Sequence, residues 1–102
     1  MTTKAEIKYQ GHLMKVIEAE VLPGCMVQRT DAQQRPGIPD LLIIHGPRWA
    51  MLEVKMDESS PFEPNQKYYI EQFNTWSFCT VIFPAIEQEV LYALQQSLGA
   101  EW

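Results

Sequence analysis

Asp40-Leu41-Leu42-Ile43-Ile44-His45-Gly46-Pro47-Arg48-Trp49-Ala50-Met51-Leu52-Glu53-Val54-Lys55 is the stretch on which the fold turns. Residues 40–45 form a near-continuous apolar run with β-branched members, the mark of a central strand. His45-Gly46-Pro47-Arg48 reads as a turn, and residues 49–55 as the next strand. If the hairpin closes symmetrically about Gly46-Pro47, the numbers of facing residues sum to 93, which sets Asp40 directly opposite Glu53. Facing side chains of an antiparallel pair have Cβ atoms about 4.5–5.5 Å apart, and two like charges there destabilise a sheet unless a cation lies between them. Lys55 is two residues beyond Glu53 and points to the same face. A slip of one residue would put Asp40 and Glu53 on opposite faces.

Upstream, residues 5–21 read as a helix, with Ile7, Leu13, Met14, Ile17 and Val21 at helical spacing. Its apolar face is centred near Gln10 and Ile17, so Gln10 and Glu6 are the polar residues aimed inward. Glu18 and Glu20 lie roughly 75–85° to either side of that face. Pro23-Gly24 ends the helix region, residues 25–29 read as a first strand, and the polar residues 30–37 as a loop. Downstream, residues 56–64 hold two serines, two prolines, Asp57 and Glu58, the composition of a loop. A second helix opens at Pro64 or Asn65 and runs to about Thr75, with Gln66, Tyr69, Ile70 and Phe73 on one face. Residues 78–83 form a fourth strand ended by Pro84, and residues 86–98 a last helix closed by Gly99. The order is αβββαβα, a mixed α/β domain.

At 102 residues with 46% hydrophobic and 21% charged, the chain has the size of one compact domain, spanning residues 1–102, and the apolar content to bury a core. No apolar run approaches a membrane span, and the first residues lack the apolar centre of a signal peptide, which points to a cytoplasmic protein. Cys25 and Cys79 are far apart without a CxxC partner and lie in apolar stretches, as buried thiols do. The net charge of −5 argues against a protein that coats nucleic acid non-specifically, because such proteins present a strongly basic face.

Two carboxylates and an ammonium at the end of an apolar hairpin are the equipment for metal-assisted phosphodiester hydrolysis. Oxygen ligands from Asp40 and Glu53 suit Mg²⁺ or Mn²⁺ with water and phosphate completing the shell, and Lys55 can orient water or stabilise charge on the phosphorus. Glu-Val-Lys by itself reads more readily as a surface ion cluster; Asp40 on the same face, with Glu6 and Gln66 on inward helix stripes, weakens that alternative.

Gly37-Ile38-Pro39-Asp40-Leu41, then Glu53-Val54-Lys55, then Gln66 at a helix start resembles the PD-(D/E)xK nuclease superfamily, and within it the VRR-NUC type. Residues 61–66 are similar to that family's Ser/Pro-x-x-Gln approach to the helix, with different spacing. The resemblance covers residues 6–90. It implies a restriction-endonuclease-like αβββαβ core with a C-terminal helix and a mixed sheet flanked by helices. It also implies Asp40, Glu53 and the Val54 carbonyl as ligands of Mg²⁺ or Mn²⁺, Lys55 positioning the attacking water, Glu6 as the first-helix acid reaching the metal directly or through water, and Gln66 hydrogen-bonding within the site. Glu18 and Glu20 are rivals to Glu6; Gln10 has no firm equivalent, and Asp57 reads as solvated. Minimal stand-alone members occur in phages and bacteria (host cytoplasm, if phage-encoded) and resemble homodimeric Holliday-junction resolvases.

The expected activity is therefore a structure-specific DNA endonuclease acting on branched DNA, with Arg29, Arg35 and Lys67 as candidate phosphate contacts. The alternative is a non-catalytic nucleic-acid-binding or subunit member of the same fold, which the acidic charge favours. A homing or restriction-type enzyme would need a recognition region for which 102 residues leave little room. Trp49, Trp76, Phe78, Tyr92 and Trp102 exceed the large aromatics such a core needs, and the final helix with Trp102 could form an isologous interface.

Overall fold

A computed structural model describes residues 3–99. Helix α1 spans Lys4–Val16 and continues as a π-helical turn over Ile17–Val21. Strands β1 (Met26–Arg29), β2 (Leu41–His45) and β3 (Arg48–Val54) follow, then α2 (Gln66–Asn74), β4 (Phe78–Ile82), a 3₁₀ turn (Pro84–Ile86) and α3 (Glu87–Leu98). The order matches the sequence reading to within one or two residues at each boundary. The difference is that the last turn of the first helix is π rather than α.

The sheet runs β1-β2-β3-β4, with β1 antiparallel to β2, β2 antiparallel to β3, and β4 parallel to β3. The parallel pair needs a crossover, and α2 supplies it. The β2–β3 hairpin has the symmetric register, Leu41 facing Leu52 and Ile43 facing Ala50. Its turn places Gly46 at φ +61°, a sign that glycine readily adopts, and Pro47 follows.

Alternation along the strands builds two faces. Val27, Leu41, Ile43, Ala50, Leu52, Val54 and Ile82 join Tyr9 and Leu13 of α1, Ile17 of the π turn, and Val90, Leu91, Leu94 and Leu98 of α3 in one apolar core. On the opposite face α2 packs, with Phe73 edge-on to Trp49. Residues 50–54 are therefore buried in succession, the behaviour of a strand covered on both sides. Glu53 interrupts that apolar run at 1% exposure. Both cysteines are free and buried, and burial, then the nearby Glu53 charge, pushes the Cys79 thiol up to about 12. No helix of the described residues is long and apolar enough to cross a membrane.

Of the surplus aromatics, Trp49 and Phe78 are partly buried, whereas Trp76, in the turn after α2, and Tyr92, on α3, are exposed. Trp102 lies outside the described residues.

Candidate active site

The sheet ends where β2 begins and β3 stops. There Asp40, one residue before β2, uses its Oδ2 to accept from the Val54 N–H at 2.9 Å, a side chain standing in for a ladder carbonyl. The segment leading into Asp40 is held by Thr30, whose hydroxyl donates to the Pro39 carbonyl at 2.6 Å and whose N–H donates to the Asp40 carbonyl at 3.0 Å. Glu53 projects from the facing position, close enough for the Asp40 charge to push its carboxyl upward.

Lys55 is buried on the same side, its ammonium 3.7 Å from Glu53 Oε2. It donates to the Pro61 carbonyl at 2.9 Å and to Gln66 Oε1 at 2.8 Å, with the Phe62 ring centroid 5.2 Å away. Gln66, the first residue of α2, is the linker of the cluster. Its Oε1 also accepts from the Glu63 N–H at 2.7 Å, and its Nε2 donates to Glu53 Oε2 at 3.0 Å. That network sets the amide's orientation, since a flipped amide would turn an NH₂ toward an ammonium that can only donate.

Glu6, Asp40, Glu53, Lys55, Glu63 and Gln66 line one cavity of about 250 Å³. Cavities of similar or larger volume exist elsewhere, one of about 380 Å³ between α1 and α3 among them, but chemistry rather than size distinguishes this one. Four separate elements or their loops converge on it. Glu6 reaches it from the first turn of α1, where it also sits three residues after Thr3, whose hydroxyl accepts from the Glu6 N–H at 3.1 Å. Thr3-x-x-Glu6 is thus a helix-capping pair as well, a structural role visible in the sequence.

The rivals go elsewhere. Glu18 accepts from the Val27 N–H at 2.8 Å, tying the π turn to β1, and Glu20 lines the cavity between α1 and α3. Gln10 accepts from Arg29 Nε at 3.0 Å. Asp57 is exposed, and bonds from Ser59 and Ser60 in its own loop hold its carboxylate below the ordinary range. Arg35 is exposed and donates to the Tyr69 hydroxyl at 3.4 Å, while Lys67 is exposed on α2; neither lines the cavity.

No protein-family model matches this chain, and no curated protein does. Solved structures do. One described as a VRR_NUC domain superposes with a TM-score of 0.67 at 26% identity, covering 91% of this chain and 97% of its own. Another, described as a VRR_NUC domain protein, is alike in fold with a TM-score of 0.64 at 21% identity, covering 97% and 92% respectively. The chain folds as a VRR-NUC-type domain.

In this VRR-NUC-type fold the fit to a divalent cation is tested by one atom. Glu53 Oε1 is buried and has no hydrogen-bond partner among the described residues. A buried acceptor left in that state is costly, and a proton or a cation between it and Asp40 removes the penalty. The described residues hold no cluster of three or more His, Cys, Asp or Glu arranged around an ion, so Asp40 and Glu53 stand as a two-carboxylate pair. Two carboxylates with the remaining positions left to water and phosphate is the donor set that suits Mg²⁺.

The same pair makes the VRR-NUC-type domain sensitive to pH when metal is withheld. Burial first, and the Asp40 charge second, push the Glu53 carboxyl up to about 9 from an ordinary 4.5. Asp40 is raised too, by its own burial, against the Val54 N–H and Lys55 that draw it down. Between those pH values the folded state keeps a proton that the unfolded state has released. This contribution to stability is therefore fully present below about pH 4.5 and is lost as pH rises through about 9. The slope approaches about 1.4 kcal/mol per pH unit. The melting temperature of chelator-treated protein is expected to fall steadily over this window, and added Mn²⁺ to raise it more on the alkaline side. A metal-free melting temperature that climbs with pH would show the pair to be ionised without cost.

Proposed function

We propose that this chain is a Mg²⁺- or Mn²⁺-dependent DNA endonuclease that hydrolyses phosphodiester bonds in branched or otherwise structured DNA. The observation that carries the reading is the partnerless, buried Glu53 Oε1 facing Asp40 beside a buried lysine. A divalent cation held by Asp40 and Glu53, with the Val54 carbonyl as a further ligand, would neutralise phosphate charge and lower the pKa of bound water. Lys55 has two N–H donors committed to Pro61 and Gln66, which leaves the third for a water or a phosphate oxygen in the cavity. Gln66 keeps Lys55 and Glu53 at their spacing by bonding both. Glu6, lining the same cavity from α1, would reach the ion directly or through water.

The net charge of −5 implies weak non-specific DNA binding, so the reading relies on DNA shape and on a homodimer in which two sites cut symmetrically. It also favours the second reading, a non-catalytic nucleic-acid-binding or subunit member. Incubation of a labelled four-way junction and a linear duplex with the protein in Mg²⁺ or Mn²⁺ tests both. Junction cleavage that disappears with chelator is expected, with the solution mass at twice 11.8 kDa. Metal binding without cleavage of either DNA would favour the second reading.

A further inference from the structure

The inward-pointing Gln10 is 5% exposed, yet it does not satisfy a buried backbone group. Its Oε1 accepts from Arg29 Nε at 3.0 Å, and the Ile7 carbonyl accepts from Arg29 Nη2 at 3.2 Å. Both acceptors are neutral. They hold the guanidinium in place without cancelling its charge, and no carboxylate of the described residues forms an ion pair with it. The Nη1 end has no hydrogen-bond partner among the described residues, so part of the fork is left to face solvent.

Arg29, Gln10, Ile7 and Thr30 line a second cavity, of about 340 Å³, whose remaining wall includes Asp40. Asp40 also lines the catalytic cavity. The two depressions therefore meet at Asp40, with the carboxylate pair on one side and an immobilised, uncompensated cation on the other. Arg35 and Lys67 share neither cavity.

We propose that Arg29, positioned by Gln10, is a phosphate clamp that holds the DNA strand next to the scissile phosphate. The inference rests on the nuclease reading above and adds to it a direction, from the carboxylate pair across Asp40 to β1. A planar guanidinium anchored at two nitrogens presents its remaining donors in a set orientation, which matches two oxygens of one phosphate. In a chain of net charge −5, one such fixed cation beside the acidic pair defines where the backbone can approach.

The test measures binding of a labelled four-way junction by Lys55→Met protein over a salt series, and cleavage by proteins that retain Lys55. Arg29→Met is expected to weaken binding about tenfold. It should also lower the slope of log Kd against log salt by about one. Gln10→Leu should keep that slope and lower kcat/KM, because the charge remains but its position does not. Arg29→Lys should behave like Gln10→Leu. Mn²⁺ binding to DNA-free protein should be unchanged in all three. A purely structural tie between β1 and α1 predicts lower melting temperatures with the salt slope intact in Arg29→Met, and that result overturns the clamp. If wild type cleaves but Arg29→Met and Gln10→Leu match it, the clamp alone fails. If wild type binds the junction through Arg29 without cutting it, the nuclease reading fails and Arg29 stands as a phosphate contact alone. No binding by wild type overturns both.

Discussion

Asp40→Asn is expected to lower cleavage about a thousandfold while making the metal-free protein more stable, not less. Asparagine keeps an oxygen to accept from the Val54 N–H, so the 2.9 Å bond that closes the end of the β2–β3 ladder survives. What disappears is one of two facing negative charges. On the proposed reading a divalent ion would lose a ligand there and with it several kcal/mol of transition-state stabilisation, and each 1.36 kcal/mol is a factor of ten in rate. Without metal, removal of the Asp40 charge relieves Glu53, whose carboxyl that charge helps to raise, and stability should rise by on the order of 1 kcal/mol. Cleavage rates in Mn²⁺ and melting temperatures in chelator, measured on the same preparation, check both signs. Asp40→Ala should also be inactive but should not gain the same stability, because it strands the Val54 N–H. Activity retained in Asp40→Asn would exclude that carboxylate from the chemistry.

Gly37→Ala should be the most damaging single-atom-scale change outside the carboxylate pair. Gly37 has φ +91°, and a Cβ there would lie 2.7 Å from both Asn65 Cβ and the Pro64 carbonyl oxygen. Asn65 itself has a positive φ of 72° and immediately precedes Gln66. The loop that delivers Pro39-Asp40 is therefore packed backbone to backbone on the start of the helix that delivers Gln66. A methyl group between them separates the two halves of the site. The expected loss is about 2–3 kcal/mol. That corresponds to a fall of about 10–20 °C in melting temperature, with reduced cleavage even where the protein remains folded. Gly24→Ala is the control, since Gly24 has φ +94° but nothing within 4 Å of a built Cβ. It should cost only about 1 kcal/mol of conformational strain and leave cleavage intact. Equal effects at the two positions would mean that the close approach at Gly37 does not matter.

Much of the candidate site was legible because it depends on local rules. A two-residue turn at Gly46-Pro47 sets the register of a hairpin, and register with period two sets which residues share a face, so Asp40, Glu53 and Lys55 could be brought together on paper. Helical periodicity likewise placed Glu6, Gln10 and Gln66 inward. Periodicity could not choose among acids on neighbouring bearings. Glu18 lies closer in sequence to the first strand, but the π turn directs it to the Val27 N–H, and that turn carries no signal in residues 17–21. The partner of Gln10 was equally hidden, because Arg29 lies across a loop and a change of element. Thr30, which fixes the carbonyls of Pro39 and Asp40, looked like any loop threonine.

Element order, hairpin register and the membership of the carboxylate–lysine face follow from residue pattern alone. The burial that raises Glu53, the approach of Gly37 to Asn65 and the anchoring of Arg29 arise only on packing. The division is physical: turn geometry and residue period act over a few bonds, whereas desolvation and close contact belong to pairs of segments that meet only when the chain has packed.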